Sequence, residues 1–156
     1  MNTETTRVLS AMRPNGRLHL GHYLGVLQNW QQIQYQYKCF FILSYIHGII
    51  NNYQASQQLS ETMNDMVIDW LAAGVDPSQA TIFIQSRVPE HFELASLLGV
   101  ITPLGWLERV PSYKDALDEL EHTDGNTYGL LGSPLLQSAD ILLYNSHYVI
   151  TGEEQS

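Results

Sequence analysis

His19 and His22, in the stretch RPNGRLHLGHYLGVLQNW (residues 13–30), are the side chains of this chain best spaced for chemistry. Two imidazoles three positions apart allow three readings. As metal ligands they would share a helix face, but zinc asks for further ligands and the neighbouring sequence offers none that convinces. As part of a tight turn they would be exposed without a task. As a phosphate grip they use more of the stretch: Pro14 and Gly16 turn the chain, and a helix begins near Gly21. The free N–H groups and dipole at a helix start favour anions. His19 and His22 would then donate to phosphate oxygens as charge builds in a displacement at an α-phosphorus. That is positioning plus electrostatic stabilisation, with no covalent step. These residues alone leave all three readings open.

The elements around them follow a strand–helix alternation. RVLSA (Arg7 to Ala11) reads as a short buried strand, and RPNGRLH as the turn after it. From Gly21 to about Tyr37, the residues Leu20, Tyr23, Leu24, Leu27, Trp30 and Ile33 recur at helical spacing. CFFIL suits a strand buried on both faces. A second helix follows polar NNYQASQQ and runs to Ala73, with Gly74 as its stop. ATIFIQS is a third strand. HFELASLLGVITPLGWL is helical up to Pro103 and resumes after it. NTYGLLGSPLLQSADILLY reads as a glycine-rich turn and then a helix over 134–144, and HYVIT as a last strand. This is the pattern of one α/β domain on a parallel sheet. Ligands of such sheets sit at the carboxyl ends of the strands, where RPNGRLHLGH and TGEEQ would both emerge.

Composition narrows the partners. Hydrophobic residues make up 44% and charged ones 15% of the 156 positions, a globular balance. Seven Lys and Arg stand against sixteen Asp and Glu, a net charge of −9. That leaves too few cations for a broad nucleic-acid face. No apolar run reaches the about 18 residues of a membrane span, and MNTETTR is not expected to be a signal peptide. The single Cys39 excludes an internal disulfide and a cysteine zinc site, fits a reducing cytoplasm, and is expected to be buried packing.

RPNGRLHLGHY resembles the Pro-x-Gly and His-x-Gly-His signature of class I aminoacyl-tRNA synthetases. VIDWLAAGVDPSQATIFIQSRVPEH, PLGWLERVPSYKD and PLLQSADILLYNSHYVITGEEQ are similar, in order and spacing, to the tryptophanyl-tRNA synthetase family. The resemblance covers residues 7–156. It implies a Rossmann-like catalytic domain, here in its amino-terminal part. The reaction would be ATP-dependent activation of L-tryptophan, with Mg2+ accompanying ATP, followed by transfer to tRNA(Trp). By this resemblance His19 and His22 are catalytic, and Arg13, Pro14, Asn15, Gly21, His22, Gly152, Glu153 and Glu154 hold ATP. Asp140 accepts the indole N–H of tryptophan, and His47 and Gln155 complete the tryptophan site. A buried acceptor opposite an obligatory donor rejects phenylalanine, which would leave it unpaired.

Some positions depart from the family. Tyr45, Ile46 and His47 replace its Asp-x-His, Ser133 stands where a tyrosine is common, and Glu154 replaces an aspartate. The family's Lys-Met-Ser-Lys-Ser clamp and its anticodon-binding domain are expected to lie beyond residue 156, so tRNA is a partner of a longer form only. A homodimer through the catalytic domain is implied, as is a cytoplasmic location. Two alternatives stand beside the ligase: a non-catalytic paralogue that keeps the tryptophan or ATP fold, and another nucleotidyltransferase using the same His-x-Gly-His grip.

Overall fold

The computed structural model describes residues 6–14, 18–51, 56–119 and 126–150. They fall into two compact units, one formed by the chain up to Val88 with the chain from Tyr144 on, the other by Pro89–Leu143.

The first unit is built on four parallel strands: β1 (Arg7–Met12), β2 (Lys38–Leu43), β3 (Thr81–Ile84) and β4 (Tyr148–Ile150), in the order β3-β2-β1-β4. β1 and β2 are in register from Arg7 opposite Lys38 to Met12 opposite Leu43. Their hydrophobic runs are mostly buried because helices cover the sheet, as parallel sheets require. The expected α/β class and parallel sheet are what the chain forms.

The core of this unit is aromatic. Trp30 stacks on Phe41 at 4.1 Å between centroids, and Trp70 meets Trp30 edge-on at 4.9 Å. Val8, Leu27, Leu43, Met66 and Val75 fill the space around them. Ring pairs of this kind add about 0.5–1.5 kcal/mol each beyond the area they bury. Trp30 comes from α2 (Gln28–Ile33) and Trp70 from α4 (Ser56–Ala72), so the stack fixes both helices to β2. Gly74 ends α4 with φ +96°, a left-handed stop that side chains with a Cβ disfavour. Gln34 ties the helices together there: its amide donates to the Gly74 carbonyl at 3.0 Å and its oxygen accepts from the Asp76 N–H at 2.8 Å.

The first helical run is not regular. It opens as α1 (Leu20–His22), widens into a π segment (Tyr23–Leu27), and continues as α2. Asn29 donates its side-chain amide to the Gly25 carbonyl at 3.3 Å within the widened turn. Such π segments recur near functional sites. Apolar spacing alone did not reveal the widening, because Leu20, Leu24 and Leu27 fit an ordinary helix as well. Helix α3 (Tyr45–Asn51) forms where the sequence shows only an apolar run after β2.

The second unit is helical: α5 (Glu90–Ile101), α6 (Leu104–Leu107), α7 (Pro111–Glu119) and α8 (Tyr128–Leu143). Pro103, extended at φ −64° and ψ 136°, separates α5 from α6 as expected. The expectation of a turn before residue 134 is corrected. α8 already begins at Tyr128 and carries Pro134 inside it. Thr127 accounts for the early start, its hydroxyl accepting from the Leu130 N–H at 3.2 Å.

Candidate functional site

Of the predicted residues of the first unit, Arg13, Pro14 and His47 lie at the carboxyl edge of the sheet. β1 runs into Arg13 and Pro14, β2 into Ser44 and α3, and β3 into a 3-10 turn (Gln85–Arg87) that α3 touches. The Ser44 N–H donates to the Met12 carbonyl at 2.9 Å, locking the ends of β1 and β2 together. Pro14 is fully buried, Arg13 half-buried, and His47 buried in the first turns of α3. Burial lowers the Arg13 guanidinium from its ordinary value, yet an arginine keeps its charge at neutral pH. β4 lies beside β1 with Ser10 opposite Ile150, so both strands end at this edge. Asn15, Gly152, Glu153, Glu154 and Gln155 lie outside the described residues.

The two histidines are set by the backbone. His19 caps α1, and its Nδ1 accepts from the Gly21 N–H at 3.1 Å. His22 returns the arrangement, its Nδ1 accepting from the His19 N–H at 3.3 Å. This is a capping box built from two imidazoles rather than from a hydroxyl and a carboxylate. The rings lie 3.9 Å apart at 45°. Because each Nδ1 accepts, each neutral ring carries its proton on Nε2. Gly21 makes the fold of His19 over the helix start feasible: a Cβ there would stand 3.0 Å from His19 Cε1 and Nδ1. The result is a helix start whose His19 and Gly21 N–H groups are taken up by the two imidazoles, each ring keeping its proton on Nε2. Among the described residues, no three His, Cys, Asp or Glu side chains converge.

Asp140 belongs to the second unit, in the last turn of α8. It is buried, with 3% of its surface exposed, and its Oδ1 lies 2.6 Å from Nδ1 of fully buried His91 on α5. The sequence placed Asp140 among apolar neighbours but gave His91 no role. The available signal was position: His91 follows Pro89 and Glu90 in the first turn of a helix otherwise rich in apolar residues. Cys39 is buried as expected; burial pushes its thiol up to about 11, and the S–H donates to the Ile33 carbonyl at 3.6 Å. Among the described residues, no helix is long and apolar enough to cross a membrane.

The family model described as tRNA synthetases class I (W and Y) matches residues 1–156. The chain belongs to that family. It is 58% identical over 149 residues to the tryptophan–tRNA ligase of Ralstonia nicotianae, covering 96% of this chain and 37% of that protein. It is 44% identical over 150 residues to the tryptophan–tRNA ligase of Thermotoga maritima, covering 96% of this chain and 46% of that one. Among solved structures it resembles the tryptophanyl-tRNA synthetase of Campylobacter jejuni complexed with ADP and tryptophan. That likeness has a TM-score of 0.88 at 32% identity, over 96% of this chain and 46% of that one. The chain thus spans less than half the length of these three proteins. The likeness extends over both units, so the class I synthetase membership rests on the whole chain and not on the His-x-Gly-His stretch alone.

Proposed function

We propose that this chain is the amino-terminal part of the catalytic domain of a tryptophan–tRNA ligase and holds the groups for tryptophan activation. In that reaction a carboxylate oxygen of L-tryptophan attacks the α-phosphorus of ATP. The bond to the bridging oxygen breaks, pyrophosphate leaves with its electron pair, and tryptophanyl-adenylate forms. Transfer to tRNA(Trp) would follow in a form carrying the remaining length of the relatives, including their signature clamp loop and anticodon-binding domain. The chain's net charge of −9 suits that division, since the cations for tRNA must come from elsewhere.

The observation that carries the reading is the double imidazole cap. With both Nδ1 atoms accepting backbone N–H bonds, His19 and His22 offer Nε2–H donors where an α-phosphate would meet the start of α1. A preorganised donor of this kind is worth about 3–4 kcal/mol in a transition state. Gly21 permits the close fold, Arg13 and Pro14 shape the edge, and Asn15, Gly152, Glu153 and Glu154 complete the ATP site. Mg2+ enters with ATP as part of the substrate. Asp140 accepts the indole N–H, with His47 and Gln155 on the tryptophan side. The Campylobacter relative, named as a complex with ADP and tryptophan, supports the pairing of these two ligands. Charging of tRNA is consistent with a cytoplasmic location. The exposed apolar row Leu97, Val100, Ile101, Leu104 and Trp106 on α5 and α6 suits a homodimer.

The test is tryptophan-dependent exchange of labelled pyrophosphate into ATP by the purified chain. Exchange is expected, and His19→Ala with His22→Ala is expected to lower it at least about a hundredfold. Exchange that is indifferent to both substitutions would overturn the phosphate assignment. A folded chain that binds tryptophan and ATP without exchange would instead be a binding paralogue.

A further inference from the structure

We infer that His91 is a positioning residue for Asp140, holding its carboxylate in the one orientation that reads an indole N–H. The inference rests on the proposed tryptophan role of Asp140 and goes beyond it by naming what keeps that acceptor aligned.

A carboxylate with 3% exposure, beside fully buried Ala139, has lost its water and must take hydrogen bonds from the protein. His91 supplies one: Nδ1 to Oδ1 at 2.6 Å, between two buried groups. The distance is at the short limit for an N–H···O bond to a carboxylate, whose charge-assisted form spans about 2.7–2.9 Å. A bond at one oxygen removes the free rotation of the carboxyl group about its Cβ–Cγ axis, so the direction of the second oxygen is set by the first.

A pair that served stability alone would be an odd choice at this point. Buried ionic pairs are weak stabilisers, and apolar residues of similar volume commonly replace them without loss. Asp140 also sits in the last turn of α8, where the helix dipole opposes a carboxylate. His91 lies in the first turn of α5, whose dipole favours one. The two helices run antiparallel: His91 faces Asp140, and further along a Cβ on Gly99 would rest 3.7 Å from Leu135. The start of α5 thus offsets at Asp140 what the end of α8 opposes. Packing alone would be satisfied by leucines; orientation of an acceptor is what this histidine adds.

The experiment compares L-tryptophan with its benzothienyl analogue, in which sulfur replaces the indole N–H, by equilibrium binding to the 156-residue chain. The unaltered chain should prefer tryptophan by about 10- to 100-fold. His91→Leu should reduce that preference to below about threefold, with the loss in tryptophan affinity and not in the analogue's. His91→Asn, whose amide nitrogen can occupy the place of Nδ1, should restore most of it. In pyrophosphate exchange the KM for tryptophan should rise in His91→Leu while the KM for ATP holds, a split that general loosening of the fold would not give. Undiminished preference in His91→Leu, with loss in Asp140→Ala, would overturn the positioning role and leave the Asp140 reading intact. No preference in the unaltered chain would overturn both. Should His91→Leu fail to fold, nitrogen NMR of the unaltered chain decides. A His91 Nδ1–H signal that moves with tryptophan and stays with the analogue supports the role, and one that responds alike to both refutes it.

Discussion

Replacing Gly21 by alanine should separate catalysis from stability. The new Cβ would lie 3.0 Å from Cε1 and Nδ1 of His19, inside ordinary contact distance, and the imidazole is the movable partner. His19 therefore has to shift by a few tenths of an ångström, which strains its 3.1 Å bond to the Gly21 N–H. Weakening that cap costs up to about 1 kcal/mol. Alanine in place of glycine in a helical turn returns about 1 kcal/mol, so the net change in stability is near zero. Catalysis has no such offset. A displaced Nε2–H donor forfeits about 3 kcal/mol of transition-state stabilisation, about a hundredfold in rate. Gly25→Ala is the matched control, because a Cβ there meets nothing within 4 Å. It should stabilise by about 0.5–1 kcal/mol and leave the rate unchanged. Urea denaturation and tryptophan-dependent pyrophosphate exchange, run on both variants, give the two axes. Gly21→Ala exchanging at the unaltered rate, or Gly25→Ala losing as much, would refute the argument that the folded-over His19 is the active arrangement.

Gly74→Ala should destabilise by about 1–2 kcal/mol, read as a lower urea midpoint at constant m, because φ is +96° there and a residue with a Cβ is strained in that conformation. Gln34→Ala removes the acceptor of the Asp76 N–H and the donor to the Gly74 carbonyl, and should cost about 1–3 kcal/mol in the same assay. Cys39, with its thiol raised to about 11 by burial, should react with a disulfide reagent at pH 8 about a hundredfold more slowly than a free cysteine until urea unfolds the chain. The sign for stability follows. The folded value lies above the ordinary 9.0, so the contribution of Cys39 is complete below pH 9 and fades as pH rises toward about 11. A thiol titration that is as fast in buffer as in urea would contradict the burial argument.

Much of the fold is legible in local pattern. The runs RVLSA and CFFIL, apolar and short, commit to strands wherever helices cover both faces, and the chain forms β1 and β2 there. Gly74 marks its helix end because only glycine adopts φ +96° without strain. The spacing of Leu27, Trp30 and Ile33 gives a helical face whatever it packs against. The boundaries moved where local signals compete. Pro134 reads as a breaker, yet α8 runs through it, since capping by Thr127 and packing on α5 outweigh one missing N–H. The π segment at Tyr23–Leu27 shifts the helix by a fraction of a turn, too little for apolar periodicity to register.

The candidate site divides the same way. Residue types in LHLGH determine by themselves that two histidines sit at a helix start, because those contacts span only a few positions. Which ring nitrogen carries the proton was decided only when the backbone N–H groups of His19 and Gly21 took up both Nδ1 atoms. The partnership of Asp140 with His91 crosses 49 positions of sequence. No local rule links residues so far apart; they meet because α5 and α8 bury their apolar faces against each other, and a buried carboxylate then has to find a donor.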